Sequence, residues 1–257
     1  MTDKERAFAL LKEIATGCRD ILQDNLIGVY VHGSLGFGCF TWATGDIDFL
    51  IVVQRKMTQN IKETLIRFLL QTEEKAPEKG IEISVMLADH CRNFIHPAPY
   101  ELHYSGAYRE KFRQELAVWC DKLHGTDPDL AAHVTVLHAA GIAVYGPAIQ
   151  EVFGPVAEQD YVDSILYDVE NACEDVRKNL VYVVLNLCRV QGYLREQKVL
   201  SKKTGGEWAL RHLEDKYCAL IRAALDCYAG KETVIDLLLA QEFAQRALTE
   251  ISQYDAK

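Results

Sequence analysis

Asp46 and Asp48 stand two residues apart at the start of an apolar run, in the segment GDIDFLIVV (45–53). Residues two apart on a strand project from the same face, so both carboxylates leave one side of the sheet. A solvated edge strand would be less apolar than the run from Phe49 to Val53. Paired carboxylate oxygens are the hard ligands that Mg²⁺ shares with substrate phosphates. The pair therefore predicts a divalent metal site.

A third acid, Glu82, lies in the alternating segment IEISVML (81–87). Strict alternation predicts a strand whose polar face carries Glu82, opposite the apolar side chains. If this strand pairs with the one that carries the aspartates, Glu82 stands beside them. Taken alone, Glu82 is one more polar residue on an alternating strand. Together with the aspartates it predicts a site of three carboxylates.

A glycine-rich turn, VHGSLGFG (31–38), precedes the aspartates. Such turns are typical of phosphate binding because glycine lets the backbone approach a ligand closely. This turn has no Gly-Lys-Ser/Thr ending, and its order GxxGxG differs from the dinucleotide fingerprint GxGxxG. The turn alone therefore does not identify its ligand.

The elements that must position these groups follow from hydrophobic periodicity. Strands are predicted at 27–32, 47–53 and 81–87, with a short strand or extended arm at 141–147; helices are predicted at 4–23, 57–73, 105–121 and 127–141. Strand signals vanish after about residue 154, and helical stretches follow at 160–194, 206–229 and 232–252. The predicted fold is an α/β N-terminal domain (1–153), a mixed sheet with flanking helices, and an all-α C-terminal domain (154–257).

Composition narrows the class of protein. The 257 residues carry a net charge of −9 and no basic cluster beyond Lys202-Lys203, which disfavours a nucleic acid partner. No apolar run approaches the roughly 20 residues of a membrane span, and the N-terminus reads as a charged amphipathic helix, not a signal peptide. We expect a cytoplasmic protein without a membrane partner. Eight cysteines without CxxC or zinc spacing predict reduced structural thiols.

Gly33-Ser34 followed by Asp46-x-Asp48, with an acid on a later strand, resembles the nucleotidyltransferase superfamily that includes DNA polymerase beta. Longer segments are similar, in the same order, to the aminoglycoside O-adenylyltransferases that inactivate streptomycin and spectinomycin. These segments are YVHGSLGFGCFTWATGDIDFLIVV (30–53), DPDLAAHVTVLHAAGIAVYGP (127–147), LNLCRVQGYLREQKVLSKKTGGEWAL (185–210) and LDCYAG (225–230).

The resemblance implies a reaction and a set of roles. In that family two domains enclose ATP, and a hydroxyl of the drug attacks the α-phosphate and releases pyrophosphate. Asp46 and Asp48, with Glu82, would be the metal-binding acids for two Mg²⁺ ions, and Glu82 would also be the general base or orient the hydroxyl. Gly33 and Ser34 would bring an amide and a hydroxyl to the triphosphate.

The remaining nucleotide contacts would come from three further positions. Lys202 matches a lysine that reaches the phosphates, although a surface lysine is the alternative and Lys203 stays open. Tyr228 matches a nucleotide-contacting tyrosine, with a core tyrosine equally expected. Asp129 matches an acid near the nucleotide, although a helix N-cap explains it too. Arg189 is either a phosphate ligand or, as we favour, a salt-bridge residue.

The expected acceptor follows from two positions at which this chain differs from the family members that accept streptomycin. Family members that accept streptomycin carry a tryptophan after the third strand, where this chain has Tyr104 or Tyr108 nearest, and an aspartate where this chain has Asn179. An amide loses a charge-assisted hydrogen bond to a guanidinium, about 1.5–3 kcal/mol. We therefore expect spectinomycin as the aminoglycoside-type acceptor and a monomeric enzyme. The alternatives are another acceptor, such as a lincosamide or a protein hydroxyl, and a non-catalytic nucleotide-binding protein.

Overall fold

The computed structural model describes residues 1–255, which divide into two compact units, residues 1–161 and residues from 162 onward. The first unit is α/β and the second is helical, as the sequence predicts. None of the helices within the described residues is long and apolar enough to span a membrane. The cytoplasmic location and the monomeric state stay predictions.

The first unit is built on a mixed five-stranded sheet in the order β5-β3-β2-β1-β7, and two further strands, β4 and β6, pair with each other. The seven strands are β1 (Leu26–Val31), β2 (Ile47–Val53), β3 (Ile81–Leu87), β4 (Ala98–Tyr100), β5 (Leu102–Tyr104), β6 (Gly125–Asp127) and β7 (Ile142–Tyr145). Only β2 and β3 run parallel; every other pair is antiparallel. The parallel pair carries the three predicted acids.

Helices cover both faces of this sheet. They are α1 (Asp3–Leu22), α2 (Gly33–Gly36), α3 (Gln59–Glu73), α4 (Ala88–Arg92), α5 (Arg109–Gln114), α6 (Leu116–Lys122), α7 (Asp129–Ala140) and α8 (Ile149–Val152). α1 begins at a capping box, in which the Thr2 hydroxyl accepts from the Glu5 amide at 3.2 Å and the Glu5 carboxylate accepts from the Thr2 amide at 2.8 Å. Such a box satisfies two amides that the helix leaves without partners.

The second unit contains the remaining helices. α9 (Glu158–Tyr167) crosses the boundary, and it is followed by α10 (Ala172–Asp175), α11 (Leu180–Glu196), α12 (Lys202–His212), α13 (Cys218–Tyr228) and α14 (Leu237–Asp255). Ser201 is the N-cap of α12, and its hydroxyl accepts from the Thr204 amide at 3.0 Å. α11 is the most buried helix of this unit, with a run of buried residues from Val183 to Cys188.

Alternation along the central strands separates two apolar cores. Phe49 and Ile83 face the core that α1 and α3 cover. Leu50 and Met86 face the opposite core, beneath α7. Since residues of one parity share a face, Asp48 lies on the α7 side of the sheet. This face is therefore apolar at one end of the strands and acidic at the other.

Sequence periodicity locates the long elements well and the short ones poorly. The bounds predicted for β2 and β3 are confirmed to the residue. The predicted helix 160–194 is wrong as one element, because the chain leaves helical geometry between α9, α10 and α11. The strands β4, β5 and β6 are absent from the prediction, since three residues are too few to show a period.

The eight cysteines are all free thiols, as predicted. Cys18 and Cys188 are fully buried among apolar residues. Burial raises the pKa of the Cys18 thiol to about 12, because the thiolate would lose its hydration. These thiols therefore serve as small apolar side chains.

A buried ion pair fixes the start of β3. The Glu73 carboxylate, at the end of α3, accepts hydrogen bonds from the Tyr104 hydroxyl and from Arg109 Nε at 2.7 Å. It also accepts from the backbone amide of Ile81 at 3.4 Å, next to Glu82. Burial, the hydrogen bond that it donates to Glu73 and the Glu73 charge raise the pKa of the Tyr104 hydroxyl, so it stays protonated. The network ties α3, β3 and β5 together.

We expect Glu73→Gln to lower the free energy of unfolding by about 2–4 kcal/mol, because it leaves the Arg109 charge without its buried partner. The midpoint of urea unfolding, followed by circular dichroism, measures the change. Glu110→Gln is the control: it breaks an exposed pair with Arg113 and should cost less than about 0.5 kcal/mol. Equal effects of the two substitutions would contradict a stabilising role for the buried network.

Candidate active site

Three carboxylates meet at the start of the parallel strand pair. One oxygen each from Asp46, Asp48 and Glu82 lies within 4.8 Å of the others, and all three residues are half-buried. The register places Asp48 opposite Glu82, and Asp46 immediately precedes β2. The predicted pairing of the two strands is confirmed, and it gathers the three acids on one face.

The donor set suits a hard divalent cation. Carboxylate oxygens are the ligands that Mg²⁺ and Mn²⁺ prefer, and Mg²⁺ sites in proteins use only one or two of them beside substrate phosphates. Three like charges this close repel by about 3 kcal/mol per pair at an effective dielectric constant of about 20. The residues therefore fit a cation that neutralises them.

The glycine turn lies directly against this cluster. Gly33 has a φ of +59°, and a Cβ there would lie 2.0 Å from Asp48 Oδ2. The backbone amide of His32 donates to the Asp48 carbonyl at 3.0 Å. The Ser34 hydroxyl is buried and has no hydrogen-bond partner within residues 1–255. A buried hydroxyl without a partner is costly, so its position beside the acids suits a ligand that accepts its proton.

Gly33→Ala should displace the Asp48 carboxylate, whereas Gly38→Ala should not. Both glycines have a left-handed φ, +59° and +72°, so both substitutions share a strain cost of about 1 kcal/mol. Only the first one collides with a side chain, since no atom lies within 4 Å of a Cβ at Gly38. We expect Mn²⁺ affinity, measured by electron paramagnetic resonance, to fall about tenfold or more in Gly33→Ala alone. Equal losses would contradict this coupling.

A pair of histidine rings packs beneath the turn. His32 is buried and lies 4.5 Å from the His133 ring of α7, centroid to centroid. Burial and the neighbouring His133 ring lower the pKa of His32 well below its usual value, so the ring is neutral. The sequence gives His32 a packing role, and this environment agrees with it.

The predicted N-cap role of Asp129 is wrong. Asp129 is the first residue of α7, and its own amide donates to the Asp127 carboxylate at 2.9 Å. Asp127 therefore satisfies the helix start, because a carboxylate two residues earlier reaches that amide. The capping explanation does not account for Asp129, and its nucleotide role stays a prediction.

Tyr104 and Tyr108, the two candidates for the aromatic residue near the acceptor, lie in different environments. Tyr104 is fully buried on the face away from the acids, where it bonds Glu73, so it does not reach their side of the sheet. Tyr108 is half-buried, and its ring lies 6.0 Å from the Trp119 ring. Lys111 Nζ lies 4.8 Å from the Tyr108 centroid. Tyr108 is thus the more exposed of the two.

Comparison with known proteins agrees with this geometry. Residues 151–250 match the family described as the aminoglycoside adenylyltransferase C-terminal domain. An aminoglycoside (3'') (9) adenylyltransferase from Klebsiella pneumoniae is 27% identical over 228 residues, 86% of this chain and 85% of the relative. A spectinomycin 9-adenylyltransferase from Enterococcus faecalis is 23% identical, over 83% of this chain and 84% of its own. The chain is thus similar to aminoglycoside adenylyltransferases over most of its length.

A solved structure has the same fold. The spectinomycin adenyltransferase AAD(9) from Enterococcus, crystallised with ATP and spectinomycin, superposes with a TM-score of 0.79 at 21% identity. The match covers 97% of this chain and all of that one. At this identity the likeness concerns the fold alone.

The helical unit holds its own polar cluster around Asp168. This carboxylate accepts from Arg189 Nη2 at 2.9 Å, from the Tyr182 hydroxyl at 2.5 Å and from the Asn186 amide. Burial favours the neutral acid, but the Arg189 charge and these hydrogen bonds, with Lys202 nearby, lower the pKa of Asp168 below its usual value. Arg189 therefore has the salt bridge that its sequence context favours.

The two lysines of the Lys202-Lys203 pair differ in environment. Lys202 is the first residue of α12, and its Nζ lies 4.2 Å from the centroid of the Tyr182 ring. Lys203 points to Glu207, 4.0 Å away on the exposed side of the same helix. Lys202 is thus the lysine that adjoins the Asp168 cluster, while Lys203 lies on an ordinary solvated helix face.

Two other predicted positions lie at helix ends. Tyr228 is the last residue of α13 and is half-buried, so it is not part of the fully buried core. Asn179 is the residue before α11, and its side chain does not cap that helix. The predicted nucleotide contact of Tyr228 stays a prediction.

Asp168 should contribute stability that is lost in acid. Its folded pKa is lowered, so the contribution is complete above the unfolded value of about 3.9 and disappears as the pH falls through the folded value. Asp168→Asn should cost about 2 kcal/mol at pH 7. The difference in melting temperature from the wild type should narrow below about pH 4.

Asp226→Asn is the control for this pH series, because it breaks an exposed pair with Lys231. Its melting temperature should follow the wild type across the same pH range. A constant difference between Asp168→Asn and the wild type from pH 7 to pH 3 would contradict the assigned ionisation.

Proposed function

We propose that this protein transfers AMP from ATP to a hydroxyl of an aminoglycoside-type antibiotic, with spectinomycin as the acceptor, and releases pyrophosphate. The observation that carries the proposal is the cluster of Asp46, Asp48 and Glu82 beside the Gly33 turn. Its relatives are named as aminoglycoside and spectinomycin adenylyltransferases. Such a product would no longer be the original drug, so the protein would confer antibiotic resistance.

The acceptor oxygen forms a bond to the α-phosphorus of ATP, and the bond from that phosphorus to the bridging oxygen breaks. Pyrophosphate leaves with the electron pair of the broken bond. The acceptor proton passes to the Glu82 carboxylate, which is the general base because it lies beside the two aspartates and is half-buried.

Asp46 and Asp48, with Glu82, would hold Mg²⁺, proposed as two ions. When bound, Mg²⁺ would neutralise phosphate charge and polarise the phosphoryl oxygens. Gly33 keeps the backbone against Asp48, and the Ser34 hydroxyl would donate to a phosphate oxygen.

Further nucleotide contacts are proposed at Asp129, Lys202 and Tyr228. Lys202 is preferred over Lys203 because Lys203 faces Glu207 on an exposed helix surface. We propose that residues 1–153 form a nucleotidyltransferase domain and that residues 154–257 form a helical domain.

Spectinomycin is preferred over streptomycin for two reasons. Asn179 offers an amide where a carboxylate would be needed to bind a guanidinium, a loss of about 1.5–3 kcal/mol. The chain also has no tryptophan after the third strand; Tyr104 or Tyr108 is nearest, and the Tyr108 ring lies near Lys111. A guanidinium-bearing acceptor would lack the carboxylate partner, whereas spectinomycin has no guanidinium.

Replacing the acids tests the reaction. With ATP, Mg²⁺ and spectinomycin, Asp48→Asn should lower kcat by about a hundredfold or more, because the metal loses a charged ligand. Glu82→Gln should lower kcat by about 10²–10⁴, because it removes the proton acceptor and a charged oxygen ligand of the metal. Pyrophosphate release, measured with a coupled enzyme assay, reports both.

Glu78→Gln is the matched control, because Glu78 is an exposed acid in the turn before the same strand. It should retain full turnover. If the wild type releases no pyrophosphate with spectinomycin, streptomycin, a lincosamide or any other acceptor tried, the proposed enzyme function is wrong.

A further inference from the structure

The order of the strands defines an acceptor side of the site. β1 leads into the Gly33 turn and β2 carries the aspartates, so both lie on one side of β3. β5, the edge strand, pairs with β3 on its other side. If the phosphates and metal occupy the first side and Glu82 takes the acceptor proton, the acceptor lies toward β5.

His103 is the polar side chain that β5 places there. It is the register partner of Ser84, and Ser84 follows Glu82 by two residues on β3. Side chains two apart share a face and stand about 7 Å apart along the strand. The His103 imidazole and the Glu82 carboxylate therefore project from the same face of the sheet.

A single hydrogen bond orients this imidazole. Its Nδ1 lies 3.1 Å from the Ser84 hydroxyl, and Ser84 is itself buried. Within residues 1–255 no other side chain hydrogen-bonds the ring, which leaves Nε2 for a ligand. A group oriented by a buried partner can bind a ligand with little loss of conformational entropy.

The surroundings of the ring are aromatic and acidic. The Tyr100 and Tyr108 rings meet His103 edge-on, at 6.2 Å and 5.9 Å between centroids. Burial lowers the pKa of His103, and the charge of Asp127 opposes that effect only in part. A neutral imidazole both donates and accepts hydrogen bonds, as a polyhydroxylated acceptor requires. A nearby carboxylate suits the amines of such an acceptor.

We propose, relying on the function proposed above, that His103, oriented by Ser84, contacts the acceptor and determines which aminoglycoside-type antibiotic is modified. The ring is a binding and specificity residue, and Glu82 remains the base. Ser84 acts through His103 as a positioning residue. The acceptor class is a polyhydroxylated, amine-bearing small molecule whose polar groups reach both the imidazole and Glu82.

Steady-state kinetics of His103→Ala, His103→Gln and Ser84→Ala test this inference. Losing one hydrogen bond between neutral groups should raise KM for spectinomycin about two- to tenfold in His103→Ala, while KM for ATP stays within about twofold. His103→Gln should recover part of the loss, because an amide can also donate and accept. Ser84→Ala should shift the same KM in the same direction by a smaller factor.

His90→Gln is the matched control, because His90 follows the opposite end of β3 from Glu82. It should leave both KM values unchanged. The ratio of kcat/KM for spectinomycin to that for streptomycin should change in His103→Ala and stay constant in His90→Gln. Unchanged KM and unchanged ratio in His103→Ala, with only a lower melting temperature, would overturn the inference.

Different experimental results would overturn the role of His103 and the proposed function. Wild-type turnover together with unaltered acceptor kinetics in His103→Ala overturns the role of His103 and leaves the proposed function standing. Absence of wild-type turnover overturns the proposed function, and calorimetric titration of spectinomycin into the wild type and His103→Ala then decides the role of His103. Weaker binding to the variant supports that role, and equal or absent binding overturns it.

Discussion

The parallel pairing of β2 with β3 is the constraint on which the site depends. It places Asp48 opposite Glu82, and the strand start brings Asp46 to the same face. Three carboxylates would separate in water, because each pair repels. The hydrogen bonds of the sheet and the apolar residues beyond them, Phe49 and Ile83, hold the acids together against that repulsion. A cation then gains a site that needs little rearrangement.

Contacts on the α3 side and on the side of the glycine turn hold the acids in this position. On the α3 side, Glu73 binds the Ile81 amide, Tyr104 and Arg109, so the start of β3 is anchored beside Glu82. On the turn side, Gly33 is held against Asp48, where any side chain would collide. A register error of one residue would send the acids to the opposite face, into the core that α1 and α3 cover. Buried polar groups therefore specify the position of the site as well as stabilise the unit.

In the helical unit, polar side chains gather on a single carboxylate. Asp168 gathers Arg189, Tyr182 and Asn186 on one carboxylate, and Lys202 lies over the Tyr182 ring. The cluster therefore joins one carboxylate to the Arg189 guanidinium and to two neutral donors, all within the helical unit.

Local pattern alone determined the central strands and the acids on them. The apolar run after Asp48 and the alternation around Glu82 predict both strands to the residue, because side-chain burial on a sheet has a period of two. The resemblance to the aminoglycoside adenylyltransferases follows from motif order. Tertiary structure decided what periodicity does not encode: that Asp127, not Asp129, satisfies the start of α7, and that Tyr104 faces away from the acids. It also brought His103 beside Ser84 and Arg189 beside Asp168. Such contacts join residues about 20 apart along the chain, and their geometry depends on short strands, loops and helix ends whose conformation is set by packing rather than by local sequence preference.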